Sequence, residues 1–317
     1  MPASHISRSR DKRPGVASSS RGRRPGRLAS ALVIGLIAIS LTGCTEQQKR
    51  GFLPHGVTSL SREIERFWVG TWLWALAVGV AVWGAMFYAM ARFRRRKTDT
   101  GLPPQIAYNM PLEILFTVVP VIMVAVLFGK TVHLDNKMLD TSQKPDVTIN
   151  VVSKQWSWDF NYVNEKVYDY GIQANTLSGK PGAEAAIPTL YLPVNKRVEF
   201  VLTSRDVIHT FWVISFLQKM DMLPGKVNKF QVTPTEIGTY RGKCAELCGA
   251  YHSQMLFNVK VVSQADYDKQ IATLKARGQS GFLSNAMARA GSGLERGQQQ
   301  YLPPGVDNSD IVTEGSK

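Results

Sequence analysis

The chain has 317 residues and a formal net charge of +14, and its length alone allows one or two domains. A charge of this size suggests a nucleic-acid binder, but its distribution argues against one. Residues 1–43 contain eight basic residues and one acidic residue, and five further cations fall within residues 92–97. No basic face for reading nucleic acid remains, so nucleic acid is not expected as a partner.

The N-terminus has the three parts of a bacterial secretory signal. A basic stretch ends at Arg27, an apolar run covers residues 28–41, and the segment LTGC ends at Cys44. Small residues before a cysteine are typical of a lipobox, so residues 1–43 are predicted to be a lipoprotein signal peptide and Cys44 to be lipidated. The alternative is an uncleaved membrane anchor, although the apolar run is short for a membrane span. Residues 44–66 then form an outer N-terminal segment.

Two longer apolar segments follow. Residues 67–91 contain no charged side chain, and residues 110–130 form a second segment with an internal proline, which membrane helices tolerate. Both are long enough to span a bilayer, so residues 67–130 are predicted to form a transmembrane helix hairpin. The basic loop 92–110 is expected in the cytoplasm. Both ends of the hairpin then face outward, as a lipidated Cys44 does, and the protein is expected in the bacterial plasma membrane.

The second half of the chain changes to short β-rich runs separated by Pro, Gly and Asn. The runs are 147–152, 197–203, 211–216, 229–233 and 256–262. Such a pattern predicts a small all-β sandwich or barrel, assigned to residues 140–262, with 162–188 as a loop. Residues 263–317 are predicted to be a C-terminal extension. It begins with a short helix over 264–277 and continues after Gly278 as an extended or partly disordered tail.

The three cysteines are too few for a disulfide framework. Two of them lie in the segment CAELCGAYHSQM, residues 244–255, which offers two thiolates, an imidazole and a thioether. A second imidazole is available upstream at His209. Soft sulfur donors with imidazole favour copper. A blue-copper site uses one cysteine, whereas two cysteines four residues apart can bridge two copper ions.

Two other interpretations of this segment stay open at this point. Cys244 and Cys248 can form a small-loop disulfide in an outward-facing domain. Two cysteines and two histidines can also bind zinc, although zinc does not explain the methionine at position 255.

The pattern C-x-E-x-C-G-x-x-H-x-x-M resembles the CuA signature of cytochrome c oxidase subunit II, of the bacterial lipoprotein type found in aa3-type oxidases. The segment Asp206-Val207-Ile208-His209 looks like the first histidine-ligand segment of that family. The resemblance covers about residues 60–262. It implies a two-helix transmembrane hairpin followed by an all-β, cupredoxin-like Greek-key barrel, which agrees with the predicted elements.

The resemblance also implies roles for six residues as CuA ligands. Cys244 and Cys248 would bridge the two coppers, and His209 and His252 would bind one copper each. Met255 would be the weak axial ligand, and Glu246 would offer its backbone carbonyl. In the family the side chain of this glutamate also helps to bind magnesium at the boundary with subunit I, and a carboxylate suits that ion.

Two further residues receive roles by resemblance. The segment Gln155-Trp156-Ser157-Trp158 is similar to the aromatic segment of the family, in which the first tryptophan receives electrons from cytochrome c. Trp156 is therefore the candidate, while packing in the barrel is a plausible role for Trp158. Glu113 lies where a family glutamate marks the entrance of a proton channel into subunit I. The alternative for Glu113 is a carboxylate at the membrane interface.

The implied function is that of an electron-transfer subunit. It accepts electrons from cytochrome c, soluble or membrane-anchored, at the dinuclear copper centre. It passes them to the haem of subunit I for reduction of oxygen to water, coupled to proton translocation. Expected partners are subunit I, other oxidase subunits, cytochrome c and membrane lipid. A quinol oxidase subunit would lack the copper ligands, and a copper-delivery lipoprotein or the CuA domain of nitrous oxide reductase would not need the hairpin.

Overall fold

The structure is a computed structural model, and it describes most of the chain after the N-terminal segment. The described residues are 45–96, 100–102, 105, 107–174, 176 and 187–285, together with the backbone of 311–312. The predicted signal peptide, residues 1–43, and the predicted lipidation site Cys44 lie outside the described residues.

Two long helices, α1 (Ser61–Arg92) and α2 (Met110–Leu139), follow a single helical turn at Glu46–Lys49. Both are long and apolar enough to cross a membrane. The first turns of α1 and the last turns of α2 extend beyond the predicted apolar segments. There the Lys137 ammonium donates a hydrogen bond to the Glu63 carboxylate at 2.6 Å. Contact between the start of one helix and the end of the other means that the helices run antiparallel, as the predicted hairpin requires.

Among its described residues the β-rich half has ten strands in two sheets, and a short strand pair follows it. In chain order the strands are β1 (Val147–Lys154), β2 (Ser157–Tyr162), β3 (Val167–Asp169), β4 (Thr189–Pro193), β5 (Val198–Ser204), β6 (His209–Val213), β7 (Gln218–Met222), β8 (Asn228–Val232), β9 (Gly238–Cys244), β10 (Leu256–Val262), β11 (Phe282–Leu283) and β12 (Ile311–Val312). One sheet has the order β3-β2-β1-β5-β8 and the other β4-β10-β9-β6-β7. Within these two sheets neighbouring strands are antiparallel except for β1 with β5 and β4 with β10, and β11 and β12 also pair in parallel.

The predicted fold class, a two-helix hairpin followed by an all-β cupredoxin-like barrel, is confirmed, with the barrel built as two facing sheets. The five predicted runs correspond to β1, β5, β6, β8 and β10. The run 211–216 was predicted too long, because β6 stops at Val213. Residues Ile214–Phe216 form a 3₁₀ turn, and Leu217 then adopts a left-handed φ of 57°. The strand β3 lies in a segment that was predicted as a loop.

Aromatic side chains from both sheets fill the core. Phe211 stacks on Phe257 with ring centroids 4.9 Å apart, and Trp158 of the opposite sheet meets Phe257 edge-on at 5.0 Å. A Cβ on Gly242 would lie 2.2 Å from the Phe257 ring, so this position in β9 needs a glycine. Truncating a buried phenylalanine to alanine costs about 3–5 kcal/mol. The core is therefore a stiff base for the loops at the end of β9.

The segment before α1 is attached to the β domain by backbone hydrogen bonds. Val57 is fully buried; its N–H donates to the carbonyl of Ser215, and its carbonyl accepts from the N–H of Thr235. At the end of α2, the Gln218 side chain donates to the carbonyl of Met138 at 3.1 Å. Both helices thus reach the β domain through contacts rather than through free linkers.

The chain also packs on the β domain after β10. Helix α3 (Gln264–Ala276) begins at Ser263, whose hydroxyl accepts from the N–H of Asp266, and buries three apolar side chains. Gly278 ends it with a φ of 74°, as predicted. The tail predicted after Gly278 begins with residues 279–285, which include the short strand β11. The Asn161 side chain hydrogen bonds both the N–H and the carbonyl of Leu283, which fastens this segment to β2.

Candidate metal centre

The possible ligands come from three places that the second sheet brings together. His209 begins β6 and Cys244 ends β9, and the two strands pair with Phe211 opposite Cys244. The loop after Cys244 returns at Met255 into β10, where the Cys244 N–H donates to the Met255 carbonyl at 3.1 Å. The ligand atoms of His209, Cys244 and Cys248 all lie within 4.8 Å of one another. Residues 46 positions apart in sequence thus meet at one end of the domain.

Each thiol has its own imidazole. The Cys244 Sγ lies 3.8 Å from His209 Nδ1, and the Cys248 Sγ lies 3.5 Å from His252 Nδ1. The remaining weak donors are also close. The Met255 Sδ is 3.7 Å from the Cys248 Sγ, and the Glu246 carbonyl oxygen is 3.1 Å from the Cys244 Sγ. All six predicted ligand residues are therefore brought together.

The two cysteines are buried free thiols, so the disulfide alternative does not hold in this structure. Two thiols, two imidazole nitrogens and a thioether form a soft donor set that fits copper. Met255 is 1 % exposed and turns its sulfur toward Cys248. Zinc is bound by Cys, His, Asp or Glu, so a zinc site would not use this thioether.

Asp206 holds the first histidine in position. Its Oδ1 lies 2.8 Å from His209 Nε2, which leaves Nδ1 facing Cys244. The same carboxylate accepts from the N–H of Val207 at 2.7 Å and from the N–H of Gln155 at 2.6 Å. A carboxylate on the second ring nitrogen fixes the orientation and tautomer of a metal-binding histidine. The sequence alone assigned no role to the Asp206 side chain; its spacing of three residues from His209 was the available signal.

The electrostatics of the ligands follow from burial and from these contacts. Burial alone would lower the pKa of His209, but hydrogen bonds to Asp206 and Cys244 outweigh burial and raise that pKa. Burial and the neighbouring Cys244 thiolate raise the pKa of Cys248 to about 12. The hydrogen bond to His209 outweighs burial at Cys244 and lowers the pKa of that thiol. A metal ion binding here must therefore displace the proton of Cys248.

The neighbouring tryptophans lie in different environments. Trp156 is half-buried; its Nε1–H donates to the carbonyl of Cys248 at 3.2 Å, and its ring meets Tyr251 edge-on at 4.9 Å. Gly249 has a φ of +125°, and a Cβ there would lie 3.1 Å from the Trp156 ring. Trp158 is fully buried in the core and donates to the Met255 carbonyl at 3.3 Å. The predicted packing role suits Trp158, and Trp156 is the tryptophan that reaches the surface.

Two predicted residues lie elsewhere or have no contact that assigns their role. The Glu246 side chain is exposed. Glu113 lies in the first turn of α2, and its carboxylate accepts from the N–H of Asn109 at 3.0 Å, while the Asn109 side chain accepts from the N–H of Leu112. This reciprocal arrangement caps the helix. The capping contact was missed in the sequence, and the proton role of Glu113 stays a prediction.

The all-β fold together with this set of sulfur and imidazole donors places the domain in the class of copper-binding domains. Comparison with known proteins gives the family. Residues 147–262 match the family model of the cytochrome c oxidase subunit II periplasmic domain. The probable cytochrome c oxidase subunit 2 of Streptomyces avermitilis is 46% identical over 302 residues, covering 84% of this chain and 93% of the relative. The cytochrome c oxidase subunit 2 of Mycobacterium tuberculosis H37Rv is 36% identical over 303 residues, covering 80% and 84%.

Among solved structures, the periplasmic domain of subunit II of cytochrome oxidase (CoxB) of Bradyrhizobium japonicum is 29% identical, covers 43% of this chain and 97% of its own, and has a TM-score of 0.38. The chain belongs to the cytochrome c oxidase subunit II family, and the predicted resemblance is confirmed. It is thus a subunit of a haem-copper oxidoreductase with a copper centre.

Proposed function

We propose that this chain accepts electrons from a cytochrome c at a dinuclear copper centre and passes them to the haem of subunit I. There oxygen is reduced to water, coupled to proton translocation. The observation that carries the proposal is the pairing of each of two free thiols with its own imidazole nitrogen, beside a thioether. The proposed copper ligands are His209, Cys244, Cys248, His252, Met255 and the carbonyl of Glu246.

When bound, a dinuclear copper centre would share the transferred electron between two metals, which would keep the reorganisation energy of each transfer small. The chain contributes a fixed and dry pocket. His209, Cys244, Cys248 and Met255 are each at most 4% exposed, so water is excluded from their sulfur and nitrogen atoms. Asp206 prevents rotation of the His209 ring. The ligands are therefore held in place before the metal binds.

Trp156 is the proposed residue through which electrons enter. Its half-buried ring offers a surface edge to a donor, and its N–H bonds the carbonyl of Cys248. From that carbonyl a few covalent bonds lead to the sulfur of the same residue. The Gln155 side chain donates to the same carbonyl at 2.7 Å, which holds the tryptophan loop against the ligand loop. The fully buried Trp158 has no surface edge to offer.

The remaining roles concern the boundary with other molecules. The exposed Glu246 carboxylate is free to help bind magnesium where subunit I meets this domain. Glu113 is proposed as the entrance of a proton channel, on the cytoplasmic side of α2. The helices are proposed to cross the plasma membrane twice, with the β domain on the outer face and Cys44 lipidated on the same side.

Electron paramagnetic resonance tests the dinuclear centre directly. The sample is the full-length chain, because the fully buried Val57 precedes both helices and belongs to the β domain. After copper loading we expect two coppers per chain and the hyperfine pattern of one unpaired electron shared by two equivalent coppers. The pattern of a single copper would contradict the proposal.

A further inference from the structure

A groove runs between the two long helices, away from the copper ligands. It has a volume of about 330 Å³, and its walls are largely apolar. Phe67, Gly70 and Trp74 line it from α1, and Met123 and Val126 line it from α2. The Thr71 hydroxyl, which also lines the groove, donates to the Phe67 carbonyl at 2.8 Å and so adds no unpaired polar group.

Two cations stand at one end of this groove. Arg66 and Lys130 line both the groove and an adjoining cavity of about 460 Å³ that also touches Glu63 and His133. Within the described residues neither cation forms an ion pair, and the nearby Glu63 carboxylate is already bonded to Lys137 at 2.6 Å. Arg66 also interacts electrostatically with Glu63, so this one carboxylate cannot neutralise Lys137, Arg66 and Lys130 together.

Both cations lie at the edge of the apolar parts of the helices. Arg66 immediately precedes the charge-free segment 67–91, and Lys130 ends the apolar segment 110–130. In the proposed topology this edge is at the head groups of the outer leaflet. The groove extends along α2 from Lys130 to Ile122, which is about 12 Å of helix at 1.5 Å per residue. Charge at the rim and an apolar wall below match the two parts of a phospholipid.

We propose that this groove binds one anionic phospholipid of the outer leaflet, with its phosphate between Arg66 and Lys130 and an acyl chain along the apolar walls. Basic pockets between membrane helices bind anionic head groups in this manner. The inference rests on the proposed membrane insertion of the hairpin. A helix of subunit I is the competing occupant, but an apolar helix would bury two cations without a counter-charge, which is costly in a membrane.

Gly70 offers a way to close the groove. A Cβ at this position meets no atom within 4 Å, so the Gly70→Leu side chain leaves the backbone without a clash and extends into the groove that Gly70 lines. Replacing both cations in Arg66→Gln/Lys130→Gln removes the charge and leaves the apolar walls. Arg62→Gln is the matched control, because Arg62 is an exposed cation one turn away that does not line the groove.

The experiment uses the purified oxidase complex in nanodiscs of phosphatidylcholine and phosphatidylglycerol, with retained lipids counted by native mass spectrometry. The wild type and Arg62→Gln should retain one more phosphatidylglycerol than Gly70→Leu, and the double variant should lose its preference for phosphatidylglycerol over phosphatidylcholine. Equal retention in wild type and Gly70→Leu overturns the proposal. So does loss of subunit I from either groove variant with lipid retention unchanged. Resistance of the chain to carbonate extraction tests membrane insertion separately.

Discussion

The metal-binding end of the β domain and the helix hairpin are held by different means. At the metal end, contacts within the chain position the ligands. Asp206 hydrogen bonds the His209 ring, and the pairing of β6 with β9 places Cys244. The Gln155 side chain hydrogen bonds the Cys248 carbonyl and so holds the tryptophan loop against the ligand loop. In the hairpin, by contrast, most apolar side chains point away from the chain. The site can therefore be assembled by this chain alone, whereas the function of the hairpin depends on lipid and on partner subunits.

The largest expected effect is at Cys248. Cys248→Ser removes the sulfur that faces both the His252 imidazole and the Met255 thioether, so the dinuclear centre should not form. Copper content and the paramagnetic resonance spectrum of the full-length chain provide the measurement. The matched control is Cys44→Ser, the same substitution at the remaining cysteine, which should leave copper content unchanged. A dinuclear spectrum in Cys248→Ser would show that the ligand assignment is wrong.

Asp206→Asn should weaken copper binding without abolishing it. An amide cannot keep the charge-assisted bond to His209 Nε2, and loss of such outer partners lowers metal affinity or activity by about 10- to 100-fold. We also expect a shifted copper reduction potential, which a purely structural defect elsewhere would not produce. Asp221→Asn is the control, because the Asp221 carboxylate bonds Thr210 at 2.5 Å but touches no ligand. Equal copper affinity in wild type and Asp206→Asn would remove the positioning role.

The difference between the two regions also explains what the sequence could predict. The ligand loop could be predicted from the sequence because its donors lie within twelve residues. The helices could be predicted because their apolar segments are long. The attachment of residues 279–285 to β2 could not be predicted from the sequence. It depends on Asn161 and Leu283, which lie far apart in sequence and meet through side chain-to-backbone bonds. Polar side chains that bind backbone carry no periodic signal. The same reason hid the bond between Glu113 and Asn109.

The two tryptophans should separate electron transfer from packing. Trp156→Ala should slow copper reduction by cytochrome c about tenfold, equivalent to about 1.4 kcal/mol in barrier, with copper intact. Trp158→Phe is the companion variant. It should lower the free energy of unfolding by about 1–3 kcal/mol, since it removes one of the two hydrogen bonds to the Met255 carbonyl, the other coming from the Cys244 N–H, and leaves core space unfilled. It should leave the rate of copper reduction unchanged. Rapid-mixing kinetics and denaturant unfolding distinguish the two. A normal rate of copper reduction in Trp156→Ala would show that electrons enter through another residue.

The smallest effect is expected in the hairpin, at Glu113. Glutamine keeps the size of the side chain and an oxygen that accepts from the Asn109 N–H, so the helix cap survives, but it cannot carry a proton. Glu113→Gln should therefore slow proton uptake and lower the steady-state oxygen consumption of the complex, because an ionisable group at the membrane edge is lost. Copper reduction by the donor should remain normal. Asn109→Ala makes the opposite change, since it removes the side-chain half of the cap and leaves the carboxylate. Asn109→Ala should therefore leave the proton-coupled steps normal, whereas normal proton-coupled steps in Glu113→Gln would exclude the proton role.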